Sequence, residues 1–163
     1  MASNRITKEA ALQLWFPDHI MKSMDIEELL AKEINEQEIV KRVPVNTPLL
    51  ASIEREGILN PFLCMENYWC IAGQQRLRCA KEIKKSNPSW SCRVNVFIIK
   101  GKPWEPLFLW EDEEFKNNAV AIYFQMLELI FKSRFYIYDK DNAGENMRLF
   151  EELGDRAKWN HDN

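Results

Sequence analysis

The sequence predicts an α+β protein: a small mixed β-sheet with helices, flanked by N- and C-terminal helices. Three observations carry this. Apolar residues recur at helical spacing towards both ends of the chain, short alternating or wholly apolar runs bounded by Gly, Pro and Asn fill the middle, and the character changes near residues 38 and 102. With 163 residues, 46% of them hydrophobic and 12% aromatic, the chain can bury one sizeable core and has little left for a second. The expected organisation is a helical extension over 1–37, a module over 38–102 and a second helical extension over 103–163, packed as one domain.

In chain order, Thr7 can cap a first helix that ends near Pro17, and Asp25 with Glu28 forms an acidic variant of the capping box ahead of Ile26, Leu29, Leu30 and Ile34. The first quarter therefore reads as helical. Glu38 to Val45 alternates Ile39, Val43 and Val45 with polar residues, as a strand does, and Pro44 restricts that strand to an edge or an end. Thr47 caps a helix with Pro48 at its first position, running through Leu49, Leu50 and Ile53 and stopping at Gly57. Phe62 to Met65 and Tyr68 to Ala72, separated by Glu66-Asn67, predict a hairpin. Gly73 then opens a helix from about Gln74 to Lys85, with Leu77, Ala80 and Ile83 on one stripe and Pro88 beyond its end. Val94 to Ile99 is a buried strand. After Gly101-Lys102-Pro103, helices are expected from Glu111 or Phe115 to Phe135 and from Gly144 to Trp159.

A net charge of -3 excludes a chain that is basic all over, and the composition is too apolar for wholesale disorder. The charge is unevenly spread. Residues 71–102 hold Arg76, Arg78, Lys81, Lys84, Lys85, Arg93, Lys100 and Lys102 against the single acid Glu82, between two acidic segments. Something anionic is the natural partner of that stretch, although Lys81, Lys84 and Lys85 read better as a solvated helix face. The four cysteines, Cys64, Cys70, Cys79 and Cys92, form no C-x-x-C pair, and with only His19 and His161 to add imidazoles no metal site is expected. No signal peptide or membrane span is evident, so the expected location is cytoplasmic, without a membrane partner.

The chemically informative junction is Ile71-Ala72-Gly73-Gln74-Gln75-Arg76-Leu77-Arg78. A strand that delivers a glycine to the mouth of a helix leaves backbone N–H groups pointing outwards, where the helix dipole adds partial positive charge. Arg76 and Arg78 stand where a guanidinium fork can grip a phosphate. A glycine that merely starts a helix would look the same.

Two stretches here resemble a known family. Leu49-Leu50-Ala51-Ser52-Ile53-Glu54-Arg55-Glu56-Gly57-Ile58-Leu59-Asn60-Pro61 looks like the helix and turn that open the ParB N-terminal domain. Tyr68-Trp69-Cys70-Ile71-Ala72-Gly73-Gln74-Gln75-Arg76-Leu77-Arg78-Cys79-Ala80 resembles its GERR-x-R-A box. The resemblance covers about residues 38 to 100. It implies a ParB/sulfiredoxin-like fold binding the triphosphate of a nucleotide, CTP or ATP with magnesium, and a phosphate-binding role for Gly73, Gln74, Gln75, Arg76 and Arg78. It also implies DNA metabolism of a phage or plasmid. The chain departs from the pattern at Gln74 and Gln75, where the box has Glu and Arg, which argues against hydrolysis more than against binding. Gln74 also stands where sulfiredoxin carries its reactive cysteine. No helix-turn-helix is evident downstream.

Outside the junction, Glu54 and Glu56 are candidate catalytic carboxylates, or simply the solvent face of their helix. Lys81, Lys84 and Lys85 are candidate nucleic-acid contacts. Asn60 shapes a turn or contacts a base, and Trp104, Phe108 and Trp110 stack on a nucleoside or latch the C-terminal helices. The helix around Ala119 to Phe135 is apolar on several faces, which predicts a protein partner or homo-oligomer contact on the flanking helices. Three functions follow: a ParB-like nucleotide- or nucleic-acid-binding protein, the leading one; an enzyme of the same fold, a small kinase or nuclease; or a structural or inhibitory interaction protein that kept the fold without the chemistry.

Overall fold

The computed structural model describes residues 16–32, 34, 41–109 and 111–136; the expected helices capped by Thr7 and starting at Gly144 lie outside these, as do Glu38 to Val40 and Trp110. The chain divides into two compact units, one spanning Asp18–Lys100 and the other beginning at Gly101 and including the segment before Asp18. Among the described residues, no helix is long and apolar enough to cross a membrane.

The first unit is α+β. Its elements are β1 (His19–Asp25), α1 (Ile26–Leu30), α2 (Thr47–Glu56), β2 (Phe62–Cys64), β3 (Cys70–Ala72), α3 (Gln74–Ser86) and β4 (Arg93–Ile99). The four strands form one mixed sheet in the order β1-β4-β2-β3. β1 runs antiparallel to β4 from His19↔Ile99 to Asp25↔Arg93, β2 runs parallel to β4, and β2 and β3 form an antiparallel hairpin. One face of the sheet, with Met24, Phe62, Cys64, Cys70, Val94, Val96 and Ile98, packs in a core with Leu49 and Ile53 of α2 and Leu77, Ala80 and Ile83 of α3. Each Val, Leu, Ile, Phe or Met side chain so removed from water is worth about 1.5–3 kcal/mol. Leu63, Phe97 and Ile99, on the alternate positions, are buried as well.

The structure corrects three expectations. His19–Asp25 is a strand, where helix was expected, and it lies within the unit that spans Asp18–Lys100. Ile20 to Ser23 are all exposed, apolar and polar alike, so the strand shows no local alternation; what holds it is full-length pairing with a strand distant in sequence. Conversely, Lys41 to Val45 is not a strand: residues 41 and 42 are helical and 43–46 are irregular. β4 is paired on both sides, by β1 and β2, and Pro44 lacks the donor that a ladder position needs. Third, α2 is capped by Asn46, whose side chain accepts from the Leu49 amide at 3.2 Å, with Thr47 and Pro48 in its first turn. Asp25 does precede α1 as expected. Its carboxylate makes no cap bond, however, and pairs with Arg93 at 3.2 Å, its cross-strand neighbour.

The second unit contains a short 3₁₀ helix (Glu105–Leu109) and α4 (Glu113–Phe135). Asp112 caps α4 by accepting from the Phe115 amide at 3.0 Å, with Glu113 and Glu114 in the first turn and Lys132 and Arg134 in the last, as the helix dipole favours. Consecutive residues from Leu129 to Ser133 are buried, so the C-terminal half is enclosed on several sides. Phe16 stacks on Phe131 there, and Trp104 packs on Phe124 at 5.2 Å between ring centres.

Candidate functional site

β3 ends at the buried Ala72, and Gly73 follows as the N-cap of α3 with φ 117° and ψ 12°, a conformation that L side chains rarely adopt. Space imposes the same choice. A Cβ on Gly73 would sit 2.3 and 2.7 Å from the Phe62 ring and 2.9 Å from an Arg76 guanidinium nitrogen. The first bond of the helix runs from the Leu77 amide to the Gly73 carbonyl at 3.0 Å, so the amides of the preceding first turn have no acceptor within the helix. The expected strand, glycine and helix mouth is therefore present in this geometry.

The side chains around it are differently disposed from a simple phosphate grip. Arg76 is only 5% exposed. Its guanidinium lies over the Phe62 ring, 4.4 Å from the centroid, and donates to the carbonyls of Asn60 and, at 3.0 Å, Pro61. It ties α3 to the turn after α2. Gln74 donates its side-chain amide back to the Cys70 carbonyl at 2.9 Å, while Gln75 is exposed. Arg78 pairs with Glu82 at 2.8 Å, and its Nε is buried without a hydrogen-bond partner among the described residues. The Arg78 hydrogen bond, with the Lys85 charge behind it, holds the Glu82 carboxyl below the usual carboxylate range.

The other candidates are spread. Lys84 reaches past the end of α3 to the carbonyls of Pro88 and Trp90, at 2.8 and 2.7 Å, and so braces the loop that leads into β4. Lys85 lies 3.7 Å from Glu82, and Lys81 is half-buried. Glu54 and Glu56 are exposed on α2, with Glu56 3.6 Å from Arg55. Asn60 is buried. Trp104 is buried against Phe124 within its own unit, whereas Phe108 is half-exposed. No cysteine forms a disulfide, and no cluster of His, Cys, Asp or Glu among the described residues could hold a metal. Burial pushes the Cys92 thiol above its ordinary value.

A second grouping escaped the sequence reading. At the tip of the β2–β3 hairpin, the Tyr68 amide donates to the Met65 carbonyl at 2.9 Å and the Met65 amide donates to the Trp69 carbonyl at 3.0 Å, while Asn67 accepts from the Trp69 amide through its side chain. The loop is longer than the Glu66-Asn67 pair, and its left-handed position falls on Tyr68, at φ 69°. The Lys32 ammonium stands 4.1 Å above the Tyr68 ring and that of Lys22 5.9 Å from it, with Lys22 also donating to the phenol oxygen at 3.3 Å. Arg42 lies 4.9 Å over the ring of Trp69. The signal in the sequence is weak: two adjacent aromatics after a turn, and three cations from scattered positions.

In comparisons with protein-family models, with curated proteins and with solved structures, the chain matches none.

Proposed function

We propose that this chain is a ParB-like binding protein for a phosphate-bearing ligand, a nucleotide or nucleic acid, which it holds at the Gly73–Arg78 junction. The observation that carries the reading is Gly73: a glycine required by both backbone angle and space, ending a strand at the mouth of a 13-residue helix. Such a terminus attracts anions through its amides and dipole. In this reading Arg76 acts from beneath, fixing the helix mouth against Asn60 and Pro61, while Gln75 and Arg78 face the ligand. A nucleoside triphosphate with magnesium, CTP or ATP, is the leading ligand. DNA metabolism of a phage or plasmid is the proposed setting, with a protein partner or second copy on the flanking helices.

The test is calorimetry with CTP, ATP and ADP, with and without magnesium, on the wild type, Gln75→Glu and Arg78→Gln. Gln75 is exposed, so a carboxylate there repels phosphate without disturbing the fold. Binding weakened about tenfold, or about 1.4 kcal/mol, in both variants supports the reading. No binding by the wild type, or undiminished binding by both variants, defeats it. A second reading, an interaction protein that kept the fold without the chemistry, is favoured by the inward use of Arg76 and the pairing of Arg78 with Glu82. It predicts the silent calorimeter.

A further inference from the structure

The hairpin tip combines features that its structural role leaves unaccounted for. A β-branched or bulky residue at positive φ is a true outlier, and the hairpin position involved normally takes Gly or Asn. Asn67 stands one residue earlier, yet the chain puts Tyr68 there, at φ 69°. Strain of this kind persists where the surrounding structure enforces it, and it concentrates at sites that bind. Its effect here is to hold the Tyr68 ring half-buried under two lysine ammonium groups, with Trp69 beside it beneath a guanidinium. Cations from β1 (Lys22), from beyond α1 (Lys32) and from ahead of α2 (Arg42) thus meet on two adjacent aromatic rings.

We propose that this tip, formed by Tyr68, Trp69, Lys22, Lys32 and Arg42, is a contact surface for single-stranded nucleic acid. Two properties select that partner. Ammonium groups and a phenol hydroxyl supply donors for successive backbone phosphates, and a guanidinium lying on an indole is a planar cationic surface on which an unpaired base stacks. An acidic peptide would use the charge and leave the rings idle. A small phosphate ester would fill only part of a surface built from five side chains. The inference is independent of the Gly73 junction and stands whether or not a nucleotide binds there.

The experiment measures anisotropy of a labelled oligothymidylate against the full chain, over a salt series and with polyglutamate as competitor, for the wild type, the triple variant Lys22→Glu/Lys32→Glu/Arg42→Glu, Trp69→Ala and Gln75→Glu. The charge changes fall at surface side chains, and melting curves establish that each variant is folded. Every phosphate that a variant no longer neutralises flattens the salt dependence of log K by about 0.7 for a single strand, so the triple variant should drop about 2 in slope and at least tenfold in affinity. Trp69→Ala should weaken binding roughly five- to 150-fold, or about 1–3 kcal/mol. Four results overturn the proposal: no binding by the wild type, unchanged binding by both hairpin variants, polyglutamate competing as well as the oligonucleotide, or loss with Gln75→Glu alone, which would locate the strand at the junction.

Discussion

Replacing Gly73 by Ala tests the geometry at the centre of the candidate site. The new Cβ would have to sit in a backbone conformation at φ 117° that costs about 1–3 kcal/mol for a residue with a side chain. It would also press on the Phe62 ring at 2.3 Å, and overpacking of a core adds about 1–3 kcal/mol. The neighbour cannot yield cheaply, because Phe62 is fully buried and carries the Arg76 guanidinium on its face. The expected loss is about 2–6 kcal/mol, a large share of the 5–15 kcal/mol typical of a folded domain. Urea denaturation followed by far-ultraviolet circular dichroism measures it, and with a slope of about 2 kcal/mol/M the midpoint should fall by about 1–3 M. Repeating the substitution in a Phe62→Leu background separates the two causes: the steric part shrinks when the ring is gone, and the backbone part remains. A loss below about 0.5 kcal/mol, the level of an ordinary surface change, would refute the reasoning.

Arg76→Met should cost about 2–4 kcal/mol in the same assay, because the Asn60 and Pro61 carbonyls lose buried donors; Arg78→Met should cost less, about 1 kcal/mol, because the Glu82 carboxylate that it leaves stays open to water. Glu82→Gln removes the acid that pairs with Arg78 and should tighten nucleotide binding severalfold in calorimetry; unchanged affinity would remove Arg78 from the proposed site. Cys92, its thiol raised by burial, should alkylate more slowly near pH 9 in the folded than in the urea-unfolded chain. The sign for stability follows: with the folded value above the unfolded one, its contribution is complete below the ordinary thiol range and is lost as pH rises through the folded value, so Cys92→Ala should flatten the alkaline decline.

The parts of the fold that could be read from sequence are those marked by residues with a single conformational use. Gly73, Gly57 and the Asn60-Pro61 turn place the ends of α2 and α3 because few other residues could stand there, and the hairpin and β4 follow from short apolar runs between them. β1 could not be read this way. Its fold is set by hydrogen bonds to β4, and Lys22 and Ser23 face water, so local pattern and final structure part company. Residues 41–45 show the converse, an alternating pattern that joins no strand of the sheet. For the candidate site the sequence pointed to the junction, and the inward placement of Arg76 was not foreseen. A usable sign was present: Arg76 shares a helix face with Ala80 and Ile83 at spacings of four and seven, which is the buried stripe.

Charge counted along the chain proved a weak guide to charge in space. The basic segment 71–102 suggests an outward anion-binding surface, yet many of its cations are turned to internal work: Arg76 to two carbonyls, Lys84 to two more, Arg78 and Lys85 to Glu82, and Arg93 to Asp25 and Ser23. A cation that satisfies buried or terminal carbonyls keeps its charge but is already committed to those acceptors, so it contributes less to a ligand than its number suggests. Lys22, Lys32 and Arg42 come instead from the acidic N-terminal part of the sequence, and pairing of β1 with β4 and closure of the hairpin bring them to Tyr68 and Trp69. If ligand affinity in this protein follows geometry, variants at these three positions will change the binding of polyanions more than variants at Lys84 and Lys85. Linear charge density predicts the reverse order.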